Sequence, residues 1–185
     1  MNKIIYALLL LLITFFIYGV VTKQSNDQIK KEKRLPCQKK TVTFEKISNK
    51  HLIEKAVKAL ENNNYIIKSR IEQAIYMKST ILNHIDTKKA DKILIDTINR
   101  YVNKESLSKE KLLIDYYILE NDKEDKGKKG TNCKLYAGYL VFEFKFNNKL
   151  IYKIQTDFMK NDASDIPERI DCVIKSFTSL LHHSY

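Results

Sequence analysis

The sequence predicts an α+β domain that follows an apolar N-terminal segment. The first 21 residues contain a long run without charge, and helix and strand patterns after residue 41 occur in separate runs rather than in strict alternation. Such runs are typical of helices that cover one face of an antiparallel sheet. We therefore expect residues 1–21 to be a transmembrane anchor or signal segment, residues 22–40 a basic flexible tether, and residues 41–185 a single domain.

The apolar segment extends from Ile4 to Val21, 18 residues without a charged side chain. As a helix it would be about 27 Å long, close to the ~30 Å thickness of a bilayer's hydrocarbon core. A cleaved signal peptide usually has an apolar region of only about 7–15 residues that ends in a small-x-small site. The best cut here, after Thr22 with Val20 at the −3 position, fits that pattern poorly. The sequence favours an uncleaved single-pass anchor and leaves cleavage as the alternative.

The charges that flank this segment give two opposite orientations. Lys3 precedes it, whereas a basic cluster that ends at Arg34 follows it. The positive-inside rule, taken literally, would place the domain in the cytoplasm. A short N-terminal tail with Lys3 is instead how an export signal usually begins. We expect the domain to be extracytoplasmic, in the periplasm or outside the cell.

The predicted tether, residues 22–40, is polar, basic and aperiodic, with Pro36 near its end. Such a composition favours a flexible linker. Residues 1–40 carry eight basic and two acidic residues, whereas residues 41–185 carry 25 basic and 20 acidic residues out of a chain total of +11. The domain itself is therefore only mildly basic, which disfavours nucleic acid as a partner. The basic tether could touch anionic headgroups, but a solvated linker is the simpler interpretation.

The first part of the domain reads as strand, helix and strand. Thr41–Glu45 alternates as a short strand, and Tyr65–Lys68 reads as a second strand. Between them Ser48 is a candidate N-cap for a helix. The apolar positions of that helix recur with helical spacing at Leu52, Ile53, Ala56, Val57 and Leu60.

Two helices are predicted next. The first would begin at Ile71, and Thr87 would cap the second. The apolar stripe of the first helix comprises Ile71, Ala74, Ile75, Ile81, Leu82 and Ile85. The stripe of the second comprises Ala90, Ile93, Leu94, Ile98, Tyr101 and Val102, which suits a helix that covers a sheet.

The last part of the chain predicts a three-strand antiparallel meander and a C-terminal helix. The strands are Leu112–Glu120, Leu135–Phe146 and Leu150–Phe158, with Asn147-Asn148 as a two-residue hairpin turn because asparagine tolerates positive φ. Asp165 and Pro167 open the helix. Its inner stripe comprises Ile170, Val173, Ile174, Phe177, Leu180 and Leu181.

The three cysteines, Cys37, Cys133 and Cys172, fit no zinc or redox motif. In an exported domain, a disulfide between Cys133 and Cys172 would join the last helix to the meander and leave Cys37 over for another bond. The alternative is that Cys172 is a small buried residue on the inner stripe of its helix.

Motifs that carry chemistry are missing from the sequence. It contains no G-x-S-x-G, H-E-x-x-H or C-x-x-C pattern, and its four glycines do not build a phosphate loop. Gly127 and Gly130 are more typical of a hairpin loop tip, and the adjacent His182 and His183 would diverge on a helix. We therefore assign no catalytic, cofactor-binding or metal-ligating residues.

These features favour a non-enzymatic binding or assembly module of the cell envelope, held at the membrane by Ile4–Val21. A protein partner could add a strand at an exposed meander edge, Leu112–Glu120 or Leu150–Phe158. One alternative is a cytoplasm-facing domain that docks on anionic lipid or nucleic acid. The other is an enzyme whose site gathers distant side chains, among them Asp115, Glu143, Asp157, His84 and tyrosines. Tyr136, Tyr139 and Tyr152 could also form an aromatic binding face, although sheet packing explains them more simply.

A reporter fused after Tyr185 tests the orientation. We expect a reporter that folds only after export to be active in this fusion, and a reporter that works only in the cytoplasm to be inactive. The opposite pair of results would place the domain in the cytoplasm.

Overall fold

The computed structural model describes residues 34–102, 110–127 and 136–182. Arg34 is the first residue of the unit that contains the domain. The predicted apolar segment and the first part of the predicted tether lie outside the described residues. Within them, no helix combines the length and apolar character that crossing a membrane requires.

A five-stranded mixed sheet organises the domain, with the strand order β1-β5-β4-β3-β2. Neighbouring strands are antiparallel except for β2 and β3, which are parallel. The predicted meander of β3, β4 and β5 is confirmed, whereas the parallel edge makes the sheet mixed rather than purely antiparallel. The strands are β1 Thr43–Ile47, β2 Tyr65–Glu72, β3 Leu112–Glu120, β4 Gly138–Phe146 and β5 Lys149–Phe158.

Three α-helices occur in the described residues: α1 Ile53–Glu61, α2 Thr87–Ile98 and α3 Ile166–Thr178. They pack on one face of the sheet, where α1 contacts β3, α2 contacts β2 and α3 contacts β5. The α+β class predicted from the sequence is confirmed. Because parallel neighbours need a crossover, the chain between β2 and β3 passes through α2 on that covered face.

Stacked aromatic rings lie in the core between the sheet and the helices. The rings of Phe144 on β4 and Phe177 on α3 stack with centroids 4.1 Å apart, and those of Tyr116 and Phe142 with centroids 4.6 Å apart. The buried Tyr116 hydroxyl donates a 2.7 Å hydrogen bond to Asp91 of α2. Burial and this carboxylate together raise the pKa of Tyr116 well above its ordinary value. The tyrosine therefore remains a neutral donor that joins α2 to the sheet.

The helix predicted over residues 71–85 is wrong. Ile71 belongs to β2, residues 73–80 form no helix, and only Ile81–Asn83 make a 3-10 turn. Ile81 and Ile85 are buried, but Ile75 is 85% exposed, so the apolar spacing did not mark one inner face. Carboxylates at the end of β3 accept the backbone N–H groups of this segment, which satisfies them without a helical ladder.

Several element ends also differ from the expectation. Asp86, not Thr87, caps α2, because its Oδ1 accepts a 2.7 Å hydrogen bond from the Lys89 amide. Instead of a Ser48 cap, a 3-10 turn over Lys50–Leu52 leads into α1. The hairpin turn is confirmed: Asn147 and Asn148 have φ of 50° and 60°.

The end of the predicted flexible tether, residues 34–40, belongs to the folded domain. Pro36–Lys39 form a 3-10 turn, and Gln38 is only 1% exposed. Arg34 forms two hydrogen bonds with the carboxylate of Glu45, at 2.9 and 3.2 Å, and donates one of 2.6 Å to the Ser176 carbonyl. Because these contacts join residues up to 142 positions apart, local composition could not reveal them.

The predicted Cys133–Cys172 disulfide is replaced by a Cys37–Cys172 disulfide. The two sulfur atoms lie 2.14 Å apart and the Cα atoms 5.7 Å apart. The turn that contains Cys37 packs against α3, where Gln38 donates a 3.0 Å hydrogen bond to Ser176. Cys133 lies outside the described residues.

Peptide mapping without reduction tests this pairing. We expect the Cys37 peptide to be covalently joined to the Cys172 peptide. The double replacement Cys37→Ser/Cys172→Ser should lower the free energy of unfolding by about 3–5 kcal/mol, because the closed loop spans most of the domain. Cys133→Ser is the matched control and should leave the linked peptide in place. A Cys133–Cys172 linkage in the wild-type map would contradict the structure.

Candidate functional site

The sheet face opposite the helices is open to solvent and carries a row of paired charges. Every second side chain of a strand points to this face. Arg70 lies 3.6 Å from Asp115, Asp115 3.0 Å from Lys145, Lys145 2.8 Å from Glu143, and Glu143 2.7 Å from Lys153. This row of three cations and two carboxylates alternates in sign, and its pairs are partly exposed, so each contributes at most about 1 kcal/mol.

A groove of about 690 Å³ lies at one end of the open face. The strands that form its floor all reach the same end of the sheet: β2, β3 and β5 finish there, while β1 and β4 begin there. Residues 73–76 and 121–125 contribute to its walls. The lining comprises Val42, Phe44, Glu72, Gln73, Ala74, Ile75, Tyr76, Leu119, Glu120, Asn121, Asp122, Asp125, Tyr136, Tyr139, Gln155 and Asp157.

Large apolar side chains are exposed along this groove. Phe44 of β1 is 62% exposed and Tyr76 is 65% exposed, at two different parts of the rim. Ile75 extends still further into solvent. Tyr139 of β4 lies between them in the floor, with Leu119 as its partner on β3. This end of the face therefore offers aromatic and aliphatic surface, in contrast to the self-paired charges beside it.

The charged side chains that line the groove are all acidic. They are Glu72, Glu120, Asp122, Asp125 and Asp157, and no lysine, arginine or histidine of the described residues lines it. The whole chain, in contrast, carries a net charge of +11. Glu72 is paired with Arg70 at 3.0 Å, so its charge is partly compensated from the neighbouring row. The groove is thus an acidic site in a basic protein.

Glu120 and Asp122 hold one wall of the groove in place. Glu120 Oε1 accepts hydrogen bonds from the amides of Thr80 and Ile81, and Oε2 accepts one from Ala74. Asp122 Oδ2 accepts the Ile75 and Tyr76 amides at 2.7 and 2.6 Å. Burial alone would raise the pKa of Glu120, but the Ser79 side chain and these backbone donors outweigh it and lower that pKa. The Glu120 carboxylate is therefore ionised and anchors the wall.

Asp157 is the groove carboxylate with a raised pKa. It is 5% exposed, opposite Tyr139 in the sheet register, and its amide donates a 3.0 Å hydrogen bond to the Val42 carbonyl. Burial raises the pKa of its carboxyl against a smaller opposing effect of the Gln155 side chain. A positive charge placed beside this carboxylate would offset the cost of its burial.

The residues that the sequence singled out lie in different parts of the structure. Asp157, Tyr136 and Tyr139 line the groove. Tyr152 lies on the covered face, where its hydroxyl donates to Glu45 at 2.6 Å, so the three tyrosines do not form one aromatic face. Asp115 and Glu143 belong to the charged row. His84 lies in the connection between the 3-10 turn and α2 and does not line the groove.

The predicted partner edges are wrong. Leu112–Glu120 is β3, which lies between β4 and β2, and Leu150–Phe158 falls in β5, which lies between β4 and β1. Both are therefore interior strands rather than edges. The sheet edges are β1 and β2, and both reach the groove through Phe44 and Glu72. The sequence missed these two residues because strand order depends on long-range pairing.

A second cleft, of about 650 Å³, lies beside the disulfide on the helical side. Its lining includes Cys37, Lys40, Tyr101, Lys175 and His182. Both lysines are already paired, Lys40 with Glu168 at 2.5 Å and Lys175 with Asp171 at 2.7 Å. This cleft therefore offers less uncompensated charge than the groove.

Comparison with known proteins adds no assignment, since no family model, curated protein or solved structure matches the chain. Within the described residues, no three histidine, cysteine or acidic side chains are placed to hold a metal ion. The groove must therefore be interpreted from its own shape and chemistry.

Glu120→Gln tests the anchoring of the groove wall. An amide keeps one acceptor but turns a donor toward an N–H group, so the local opening free energy should fall by about 2 kcal/mol, a roughly 30-fold loss of hydrogen-exchange protection. The affected amides should be Ala74, Thr80 and Ile81, measured by mass spectrometry or NMR. Glu54→Gln, an exposed acid on α1, is the control and should change none of them. Unchanged protection in Glu120→Gln would contradict the anchoring role.

The same wall should respond to acid. Because the pKa of Glu120 is lower in the folded protein than in the unfolded chain, its contribution is complete above the unfolded-state pKa and is lost as the pH falls through the folded-state pKa. Protection factors for Ala74 and Thr80 should therefore fall in the acid range, before those of core amides in β4 such as Phe142. Simultaneous loss at all of these amides would show that the wall does not open separately.

Proposed function

We propose that this protein is a membrane-tethered, extracytoplasmic binding module of the cell envelope, and that the groove is its non-enzymatic binding site. One observation carries the proposal: a solvent-open groove exposes aromatic and aliphatic side chains at one end of the sheet, beside a row of charges that pair with one another. Exposed apolar surface of this kind, rimmed by polar groups, is characteristic of an interaction site.

Binding a partner would stabilise the complex mainly through these exposed side chains. Covering an aromatic or large aliphatic side chain is worth about 1.5–3 kcal/mol. Phe44, Ile75 and Tyr76 together could thus provide most of a micromolar affinity, since the ordering cost at the rim reduces the gain. Glu120 and Asp122 reduce that cost, because they hold the wall with Ile75 and Tyr76 in place before any partner arrives.

The disulfide supports the extracytoplasmic location. Structural disulfides persist in oxidising compartments and are rare in the cytoplasm. The Cys37–Cys172 bond joins the start of the domain to its last helix. It therefore favours export over the cytoplasm-facing alternative, in which anionic lipid or nucleic acid would be the ligand. The acidic groove is also the wrong charge for either of those ligands.

The early start of the domain shortens the proposed tether. If Ile4–Val21 is the anchor and the domain begins at Arg34, residues 22–33 separate them. Twelve residues span at most about 40 Å when fully extended and about 20 Å as a flexible coil. A tether of this length suits a partner that is itself part of the envelope.

The chemistry of the groove favours binding over catalysis. The ionisable side chains that line it are carboxylates and tyrosines, and the lining described here includes no serine, cysteine, lysine or histidine. An enzyme would need the carboxylates to act as an acid–base pair. Asp157, with its raised pKa, is the one residue that suits such a role, so it is the position at which the enzymatic alternative deserves a test.

Photocrosslinking in intact cells tests the binding role. A photoreactive phenylalanine analogue at Phe44 or Tyr76 should form the same discrete adduct, because the two residues lie on the rim of one groove. The same analogue at Lys88, exposed on α2, is the control and should form none. A lack of adducts at both rim positions, in full-length protein at its native level, would overturn the proposed site.

A further inference from the structure

We propose that the partner bound in this groove is a lysine- or arginine-bearing protein segment in extended conformation, with an apolar side chain beside the basic one. This inference rests on the proposed function and names the partner's chemistry. It follows from the charge of the groove, from its aromatic rim and from its path across the sheet.

Charge complementarity selects a cationic partner. The groove is lined by five carboxylates, whereas the chain as a whole is strongly basic. A basic segment is therefore attracted more strongly at this site than by the mildly basic domain as a whole. Complementary potentials of this kind raise the association rate and set the orientation of a partner. An acidic segment, a nucleic acid or an anionic headgroup would meet the reverse pattern.

The aromatic side chains strengthen the case for a basic side chain rather than a metal ion. Ammonium and guanidinium groups bind over tyrosine and phenylalanine rings. The open face already contains one such contact, since the Arg70 guanidinium lies 4.3 Å from the centroid of the Tyr117 ring. In the groove, Phe44, Tyr76 and Tyr139 offer the same kind of surface to a partner.

The shape of the groove suits an extended segment. Residues of all five strands line it, from Phe44 on β1 to Glu72 on β2. Five strands span about 19 Å at the usual spacing between neighbours, which about six residues of extended chain would cross. Asp157 is the most enclosed carboxylate whose described contacts do not anchor the wall, so it is the position for the basic side chain.

Fluorescence anisotropy with designed peptides tests the inference. The full-length protein is placed in phosphatidylcholine nanodiscs, and empty nanodiscs serve as the blank. The probe is labelled Lys-Leu-Lys-Phe-Lys-Leu, compared with one peptide that has glutamate for lysine and another that has serine for the apolar residues. We expect the probe to bind at least tenfold more tightly than either comparison peptide, and several-fold more weakly at 300 mM than at 50 mM salt.

Variants locate the binding. Asp157→Asn should weaken the probe about tenfold, and Phe44→Ser should weaken it similarly, while Glu54→Gln on α1 should have no effect. Asp125→Asn keeps an acceptor for its own loop and provides a second acidic position, where a smaller loss is expected. Thermal melting of each variant confirms that it is folded, so that a loss of affinity reports on the groove.

The experiments distinguish failure of the basic-partner proposal from failure of the groove as a binding site. Equal binding of the glutamate peptide, or an unchanged affinity in both Asp157→Asn and Asp125→Asn, would overturn the basic partner. Absence of peptide binding while the photocrosslinked adduct persists would also overturn it and leave the binding site standing. A dimer in sedimentation that Phe44→Ser dissociates would assign the groove to a second copy. Neither peptide binding nor an adduct would remove both proposals.

Discussion

Glu120 contributes both to the fold and to the candidate site, because its hydrogen bonds hold the groove wall. It is the last residue of β3, and its side chain is buried. Its carboxylate accepts hydrogen bonds from backbone N–H groups of the segment that follows β2. A buried carboxylate is costly unless it is fully hydrogen bonded, and this segment supplies the donors. These hydrogen bonds stabilise both the carboxylate and the segment. Because the segment forms no helix, its N–H groups need acceptors outside it. Asp122, two residues on, repeats the arrangement for Ile75 and Tyr76, and the wall of the groove is the result.

A covalent and an ionic link join sequence-distant segments on the helical side of the domain. Cys37 is bonded to Cys172, while Arg34 lies between Glu45 and the Ser176 carbonyl. Burial alone would raise the pKa of Glu45, but the hydrogen bonds from Arg34, Tyr152 and Gln38 outweigh that effect and lower it. Residues 34–40 are therefore held against α3 and β1.

Charged side chains are distributed unevenly over the open face of the sheet, which the overall composition does not show. The open face contains a row in which each charge meets an opposite neighbour, and at its end a groove whose charged lining residues are all acidic. The row contains charges of both signs, whereas the charged side chains of the described groove lining are of one sign. Exposed aromatic side chains occur in the groove and not in the row. Together these properties give one end of the sheet the character of a binding surface.

Local periodicity by itself determined the strands β3, β4 and β5 and the helices α2 and α3, and residue type determined the Asn147-Asn148 turn. Each of these strands and helices buries one face, and burial of one face imposes a repeat of 2 or 3.6 residues on the sequence. The apolar segment Ile4–Val21 remains a prediction from sequence alone. Only the tertiary structure decided the partner of Cys172, the edge positions of β1 and β2, and the loop form of residues 73–80. Those features depend on contacts between residues far apart in the chain, which leave no periodic trace. The groove belongs to the same class, since strands from both ends of the domain converge to form it.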